Sequence, residues 1–477
     1  MLKYFTLTIT VLFVTLKLQA IDQTSPTMDS DTIPHSAILL SDYVQHSSVT
    51  GSEKDAGMYL ATMAMLKGLH VEIFTNHVDT FNFAASLYPL DMQKPNIILL
   101  NHIDVVPAFN ADKFTYPPFS GTIADGMVWG RGAIDNKGMG VMQLLAMEKF
   151  VDMAKDQDLP FNVTMVSVSG EEVGGYTGAK VVTDRFMDRL NAVVAYGEGG
   201  TGIPKLLAND PEKRVFTVST TFKRSLWLEL TLKMQTSGHG SIPPKKYAVQ
   251  EKIRSLYKLI RWNRKESFSK TTRDMFKELG KLEGGFRGLV LRNIRLFRPL
   301  AVRGMRQDEV VYSLVTNTVT ITGINTPPGP PNQIPQKITV TLDCRLLPEV
   351  DNEEFIQEIE DILDNSDVDI KILEQDEMVP PTEIEEGYYK IKNALRAVHP
   401  NAGVIPILMP ASNDNNYFRR HGVPVYGILP IFMSIELIES IHNIDERITI
   451  EALEKGTQVY IELLNEFLTE DNEEFSK

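Results

Sequence analysis

The chain has 477 residues, 43% hydrophobic and 23% charged, which excludes a disordered chain and leads us to expect two or three domains. Its formal net charge of -14 and the lack of a Lys/Arg-rich tract argue against a nucleic-acid or anionic-membrane partner. A single cysteine, Cys344, rules out an internal disulfide and any thiolate-rich metal site.

Met1 to Ala20 reads as a secretory signal peptide, with Lys3 near its start, an apolar run from Phe5 to Leu16 and cleavage near the small Ala20. The protein is therefore expected to be secreted or otherwise exported. The apolar run is too short to span a bilayer comfortably; an uncleaved membrane anchor is the alternative. No other run is long enough to be transmembrane. Ile21 to Thr50 is rich in Ser, Thr and Asp and leads into the first domain. Glu53 to Leu66 carries Met58, Leu60, Met63 and Leu66 at roughly helical spacing and ends at Gly68; Val71 to Phe74 is then a short strand.

Ile97 to Leu100 is a continuous apolar run, as in a strand buried inside a parallel sheet. It breaks into Asn101-His102-Ile103-Asp104. At a strand end, positions two apart share a face, so His102 and Asp104 point the same way. That suits a metal-ligating imidazole whose second nitrogen is held by a carboxylate, with an ordinary polar loop as the alternative. Asp135 sits in a Gly-rich turn before a helix marked by Met139, Met142, Leu145, Met147 and Phe150, a stripe that belongs to the core.

Asn162 to Ser169 is the next strand and runs into Gly170-Glu171-Glu172-Val173-Gly174-Gly175. Adjacent carboxylates on extended backbone point in different directions and can serve different roles. Asn162-Val163-Thr164 has the pattern of a glycosylation sequon, but its place in a strand argues against use. Ala192 to Tyr196 leads to Glu198 just past a strand, and a later strand, Val423 to Leu429, is followed by His442. His102, Asp135, Glu171, Glu172 and Glu198 thus all lie near the ends of apolar segments alternating with helices. An α/β arrangement collects such groups at the carboxyl ends of its strands, and together they read as a metal site.

The middle differs. Leu226 to Met234 and Ile338 to Arg345 alternate apolar and polar residues, as in an antiparallel sheet covered on one side. Arg345 then shares the open face with Thr339, Thr341 and Asp343. Phe355, Ile359 and Ile362 mark a covering helix, and Val249, Ile253, Leu256 and Ile260 another; the region to Leu300 is helical too. Residues 217–373 read as an α+β domain inserted into the first, with the Pro-rich stretch Thr326 to Pro335 a loop within it.

At this point the residues resemble the M20 metallopeptidases, in the branch of carboxypeptidase S and the N-fatty-acyl-amino-acid hydrolases. The matching segments are His102-Ile103-Asp104-Val105-Val106-Pro107, Trp129 to Gly138, Gly170 to Gly175, Gly238-His239-Gly240-Ser241-Ile242-Pro243-Pro244, Asn332-Gln333-Ile334-Pro335, Asp343 to Pro348 and His442. They occur in family order over nearly the whole mature chain. The resemblance implies an α/β catalytic domain (residues 21–216 and 374–477) with a lid or dimerisation domain (217–373), an antiparallel sheet plus helices, inserted into it. It also implies two zinc ions: Asp135 would bridge them, His102 and Glu198 would hold one, and Glu172 and His442 the other. Glu171 would be the general base and Asp104 would orient His102. Imidazole and carboxylate ligands without thiolate independently suit zinc, though cobalt or manganese could substitute.

In the inserted domain the resemblance makes His239 an oxyanion stabiliser, in cis or across a homodimer, and gives substrate binding to Asn332 and Arg345. A bidentate arginine suits a free α-carboxylate, hence an exopeptidase. The alternatives are that Asn332 caps a turn and that Arg345 pairs with Asp343. His399 and His421 match no motif and read as surface or loop residues. The chain departs from the family at Gly197, where carboxypeptidase S relatives read Asp-Glu-Gly-Gly, and at Asn413-Asp414-Asn415-Asn416, where Thr-Asp-Ser-Arg is common. The expected function is zinc-dependent hydrolysis of a small amide that releases an amino acid. A carboxypeptidase on short peptides competes with a hydrolase or synthase of N-acyl amino acids. A non-catalytic binding protein on the same fold would have lost the base or a ligand, and all six positions are intact. A serine hydrolase lacks its Gly-x-Ser-x-Gly elbow.

Overall fold

The structure is a computed structural model, and it describes residues 33–235, 238–364 and 367–469. The expected signal peptide lies outside them. Two helices, α1 (His35–Gln45) and α2 (Lys54–Leu66), lead into strands β1 (His70–Asn76), β2 (Phe81–Ser86) and β3 (Asn96–His102). A hairpin, β4 (Thr122–Ala124) and β5 (Met127–Trp129), precedes α3 (Lys137–Glu148) and α4 (Val151–Asp156). Then come β6 (Asn162–Val168), α5 (Ala179–Leu190), β7 (Ala192–Ile203) and β8 (Val215–Phe222).

A second sheet begins with β9 (Arg224–Lys233). It is followed by α6 (Ala248–Ile260), α7 (Lys270–Glu283), α8 (Gly285–Arg292), α9 (Arg298–Met305) and α10 (Glu309–Ser313), then β10 (Thr318–Asn325), β11 (Lys337–Leu346), α11 (Asn352–Leu363) and β12 (Val368–Gln375). The chain then returns through α12 (Glu386–Val398), β13 (Gly403–Met409), α13 (Asn415–Arg420), β14 (Val425–Phe432), α14 (Ile435–Ser440), β15 (Arg447–Thr449) and α15 (Ile450–Leu468).

The large sheet has eight strands in the order β1-β2-β6-β3-β7-β14-β8-β13. β6, β3, β7 and β14 run parallel at its centre. Their side chains alternate between two cores. Ile97, Leu99, Val163 and Met165 pack under α1, α3, α12 and α15, whereas Ile98, Leu100, Val166 and Val168 pack under α5 and α13. Burial on both faces is why these strands read as unbroken apolar runs. The small sheet, β10-β11-β9-β12, is antiparallel and covered on one side by α6 and α11, with Leu226, Leu228, Leu230 and Leu232 facing inward. Each such leucine contributes roughly 1.5–3 kcal/mol by leaving water.

Several expectations shift. The lead-in Ile21 to Thr50 contains α1, whose Ala37, Leu40, Tyr43 and Val44 are fully buried; its apolar stripe is masked in the sequence by the polar residues between. In α2 the buried face is Ala56, Gly57, Leu60, Ala61 and Ala64, and Met58 and Leu66 are exposed. In α6 the inner face carries Ala248, Leu256 and Leu259, which leaves Ile253 and Ile260 in solvent. β8 pairs with β13 and β14 in the large sheet, so the change of sheet falls between Phe222 and Arg224, beyond the expected boundary at 217. Asn162 of the sequon pattern is buried and bonded to the Tyr88 backbone through both side-chain atoms. His399 is also buried, its ring 4.9 Å from that of Phe216, and not a surface residue. Among the described residues, no helix is long and apolar enough to cross a membrane.

Candidate metal centre

His102 is the last residue of β3, buried at the carboxyl end of the sheet. Its Nδ1 lies 2.9 Å from the main-chain oxygen of Asp104, and its Nε2 lies 3.0 Å from Asp135 Oδ1 and 3.3 Å from Glu198 Oε2. The expected partner of Nδ1 was the Asp104 carboxylate. That group stands 3.6 Å away, too far for a hydrogen bond, so the carbonyl fixes the ring. The Asp104 carboxylate instead accepts from the N–H groups of Glu171 (3.0 Å) and Glu172 (3.2 Å) and from the Thr50 hydroxyl (2.9 Å). It therefore positions the acidic turn after β6.

That turn is a short 3-10 segment between glycines in the left-handed region, Gly170 at φ 72° and Gly174 at φ 98°. Gly175 lies under Asp414, where a Cβ would come within 2.0 Å of Oδ1. Glu172 faces His442, whose Nε2 is 3.1 Å from Glu172 Oε2 and 3.1 Å from Asp135 Oδ2. Each Asp135 oxygen thus meets one histidine. His442 itself has φ 59°, an unusual conformation for a residue with a side chain, of the kind that gathers at functional sites.

Glu198 was expected just past a strand. It lies inside β7, where the ladder to β14 jumps from the Gly197–Gly427 pair to the Gly200–Ile428 pair. Its carboxylate accepts from the Asn136 amide (3.3 Å) and its main-chain oxygen from Asn413 (3.0 Å) and Asn415 (2.7 Å). The segment that departs from the family pattern therefore holds a ligand candidate in place.

The Asp135 turn is tied down by residues that sequence reasoning did not assign. Glu446 Oε1 accepts from the N–H groups of Ile134 and Asp135, both at 3.0 Å. Its other oxygen pairs with Arg131 Nη1 at 2.6 Å, and Arg131 Nη2 donates to the Asn443 carbonyl at 2.9 Å. On the other side Lys137 Nζ donates to the Tyr43 and His46 carbonyls, the end of α1. Arg131 was visible only as part of a motif, and Glu446 only as a neighbour of His442. Asp414, buried beside Glu171, was visible only in the departing Asn-Asp-Asn-Asn segment.

Electrostatics follow from this crowding. Burial pushes the carboxyls of Glu171, Glu172 and Glu198 upward, Glu171 furthest, with Glu198, Asp414 and Glu172 adding to its shift. Burial also raises Asp414, to about 8. Burial acts the same way on Asp135, but its contacts with His102 and His442 outweigh it and hold the group below the usual range. Hydrogen bonds that its ring donates to Asp135 and Glu172 lift His442 to about 10. A divalent cation is the group that relieves buried acids packed this way.

Two donor sets result, His102–Asp135–Glu198 and Asp135–Glu172–His442, each with its ligand atoms within 4.8 Å of one another. Imidazole nitrogens and carboxylate oxygens around a shared aspartate fit two zinc ions. Glu171 belongs to neither set, and the charges of His102, Glu198 and Glu172 act on its carboxyl. The remaining predicted residues are elsewhere. His239 is exposed in the inserted unit, with Nδ1 2.6 Å from Ser241 Oγ and Nε2 2.8 Å from Asn332 Nδ2. No hydrogen bond or ion pair among the described residues joins it or Asn332 to the ligand cluster. Arg345 forks onto Asp343 (2.9 and 3.3 Å), the pairing its strand position allows, and Nη1 donates to Ser225 Oγ at 2.6 Å.

The model of peptidase family M20/M25/M40 matches residues 98–466. The chain is similar to the N-fatty-acyl-amino acid synthase/hydrolase PM20D1 of Xenopus tropicalis, 25% identical over 77% of this chain and 71% of that protein. It is similar as well to the probable carboxypeptidase S-like 2 of Dictyostelium discoideum, 26% identical over 83% of this chain and 76% of that protein. Among solved structures, the M20 family metallo-carboxypeptidase Sso-CP2 of Sulfolobus solfataricus shares the fold, with TM-score 0.67 at 18% identity over 91% of this chain and 99% of that one.

Proposed function

The chain belongs to peptidase family M20/M25/M40, and from that premise we propose that it is a dinuclear zinc amidase that releases an amino acid with a free carboxylate from a small substrate. The observation that carries this is Asp135, shared between two donor sets, with the carboxyl of Glu171 outside both and within electrostatic reach of His102, Glu198 and Glu172. His102, Asp135, Glu198, Glu172 and His442 would hold the zinc ions, which would supply Lewis acidity for the scissile carbonyl and the attacking water. Glu171 takes a proton from that water as the new C–O bond forms, and returns it to the nitrogen as the C–N bond breaks. Asp104 fixes Glu171 through its backbone N–H. The inserted unit is read as a lid or dimerisation domain that brings His239 and Asn332 to the substrate on closure or from a second subunit. Arg345 takes the substrate carboxylate in exchange for Asp343. Export through residues 1–20 belongs to the same reading.

The first reading of the substrate is a short peptide, as for a carboxypeptidase. A second, N-fatty-acyl amino acids, is favoured by the name of the Xenopus relative. Amino-acid release from blocked dipeptides and long-chain N-acyl amino acids with the same C-terminal residue, with and without a chelator, separates them. Chelator-sensitive release from the dipeptides supports the first reading, and preference for the acyl series the second. Glu171→Gln is expected to abolish turnover with metal content unchanged. Release from neither series with zinc bound, or full turnover by the variant, would sink the catalytic reading.

A further inference from the structure

Residues 284–307 hold six arginines and no acidic residue, in a chain whose net charge is -14. The stretch comprises α8, α9 and their connection. Part of it is buried: Val290, Ile294, Ala301 and Met305 pack with Met275 and Phe276 of α7. The rest exposes Phe286 (58%), Leu289 (41%), Leu296 (77%) and Leu300 (38%). Three of the arginines are paired, Arg287 with Glu283 (3.4 Å), and Arg298 and Arg306 with Glu266 (3.7 and 2.7 Å). Arg292, Arg295 and Arg303 are exposed and have no acidic partner among the described residues.

We infer that this exposed stretch docks on a phospholipid surface with anionic headgroups. Four large apolar side chains in water, in one stretch with three guanidinium groups that have no acidic partner among the described residues (Arg292 Nε donates to the Gly288 carbonyl), match both layers of such a surface. The apolar groups enter the acyl boundary, and the forks meet phosphate oxygens in pairs. The rest of the chain is net acidic, which biases the approach of an anionic surface toward this stretch. A second copy of the chain fits poorly, because a two-fold contact would set the same arginines against each other. The expectation of no anionic-membrane partner rested on the net charge and on the lack of a Lys/Arg-rich tract; the six arginines here are spaced out along two consecutive helices and their connection and form no continuous run. The inference rests on this stretch alone and not on the catalytic reading, and its test needs no turnover.

The full chain is sedimented with phosphatidylcholine vesicles made with and without phosphatidylglycerol, at low and high salt. Binding is expected only to the anionic vesicles, weakening as salt rises. Replacing the three unpaired arginines (Arg292→Gln, Arg295→Gln, Arg303→Gln) is expected to lower the partition coefficient roughly 100-fold. Phe286→Ser with Leu296→Ser should weaken binding at every salt concentration. Thermal melting confirms that each variant is folded. No sedimentation with anionic vesicles, equal sedimentation with neutral ones, or unchanged partition of the triple variant would overturn the inference. So would a concentration-dependent dimer that the triple variant abolishes, since the face would then belong to a second copy.

Discussion

Arg131 and Glu446 meet across 315 positions of chain, and their buried pair joins two loops that each carry a proposed ligand, Asp135 and His442. Glu446 also collects the two N–H groups that aim the Asp135 turn. Replacing it by glutamine keeps one acceptor for those N–H groups but strands the Arg131 charge, which costs about 3–5 kcal/mol where a buried partner is removed. Because the pair fixes the backbone behind a ligand, metal affinity should fall roughly 10- to 100-fold as well. Metal retained against graded chelator measures the second effect and thermal melting the first. A lowered melting temperature with unaltered affinity would assign the pair to stability alone. At this scale the sequence was readable where chemistry and punctuation coincide: His102, Asp135, Glu171, Glu172 and Glu198 each sit in a short stretch broken by glycine or by the end of an apolar run. Glu446 was not readable, since its meaning depends on an arginine far away in the chain. Nor was the carbonyl of Asp104, because a side-chain pattern says nothing about which backbone oxygen a ring will meet.

Strands β3 and β6 and helix α3 were legible because tertiary contacts bury them uniformly, and their patterns say so. β2 was missed: Phe-Asn-Phe-Ala-Ala-Ser neither alternates nor runs apolar, yet all six residues are buried, with Asn82 satisfied by Thr75 and the Thr177 carbonyl. β7 was cut short for a related reason. Its glycines read as a loop, but they let β7 approach β14 and β8 closely while the strand continues. A Cβ at Gly199 would stand 2.4 Å from Ser219 Oγ and 2.6 Å from the Gly427 backbone. Gly199→Ala is therefore expected to push β7 away from its neighbours at a cost of roughly 1–3 kcal/mol. The displaced residue next door is Glu198, so the variant should also lose metal from the His102 side. Metal content measured on folded protein checks this; full retention would mean that the close approach serves packing and not the ligand.

Between the two sheets the chain crosses twice, with Arg224 buried at the first crossing and Arg345 beside it. Arg345 on β11 lies opposite Ser225 at the start of β9, and its Nη1 also stands 3.5 Å from Ser412, which precedes the asparagines that hold Glu198. Strand alternation was enough to place Arg345 on the open face with Asp343. It could not reveal Ser412, which is 67 positions away and belongs to the other sheet's side of the molecule. The arrangement gives the inserted unit a polar contact that runs through a substrate-binding candidate toward the proposed metal ligands. If Arg345 exchanges Asp343 for a substrate carboxylate, Arg345→Ala removes a charge-assisted fork and should raise KM for substrates with a free carboxylate roughly 10- to 100-fold. kcat should change far less, because the ligands and Glu171 do not touch the arginine. Arg345→Lys should recover little, since an ammonium cannot reproduce the planar fork. Substrates amidated at the same carboxyl provide the control: their KM should be insensitive to the substitution. A loss shared equally by amidated and free substrates would show that Arg345 holds the two units together and reads no carboxylate.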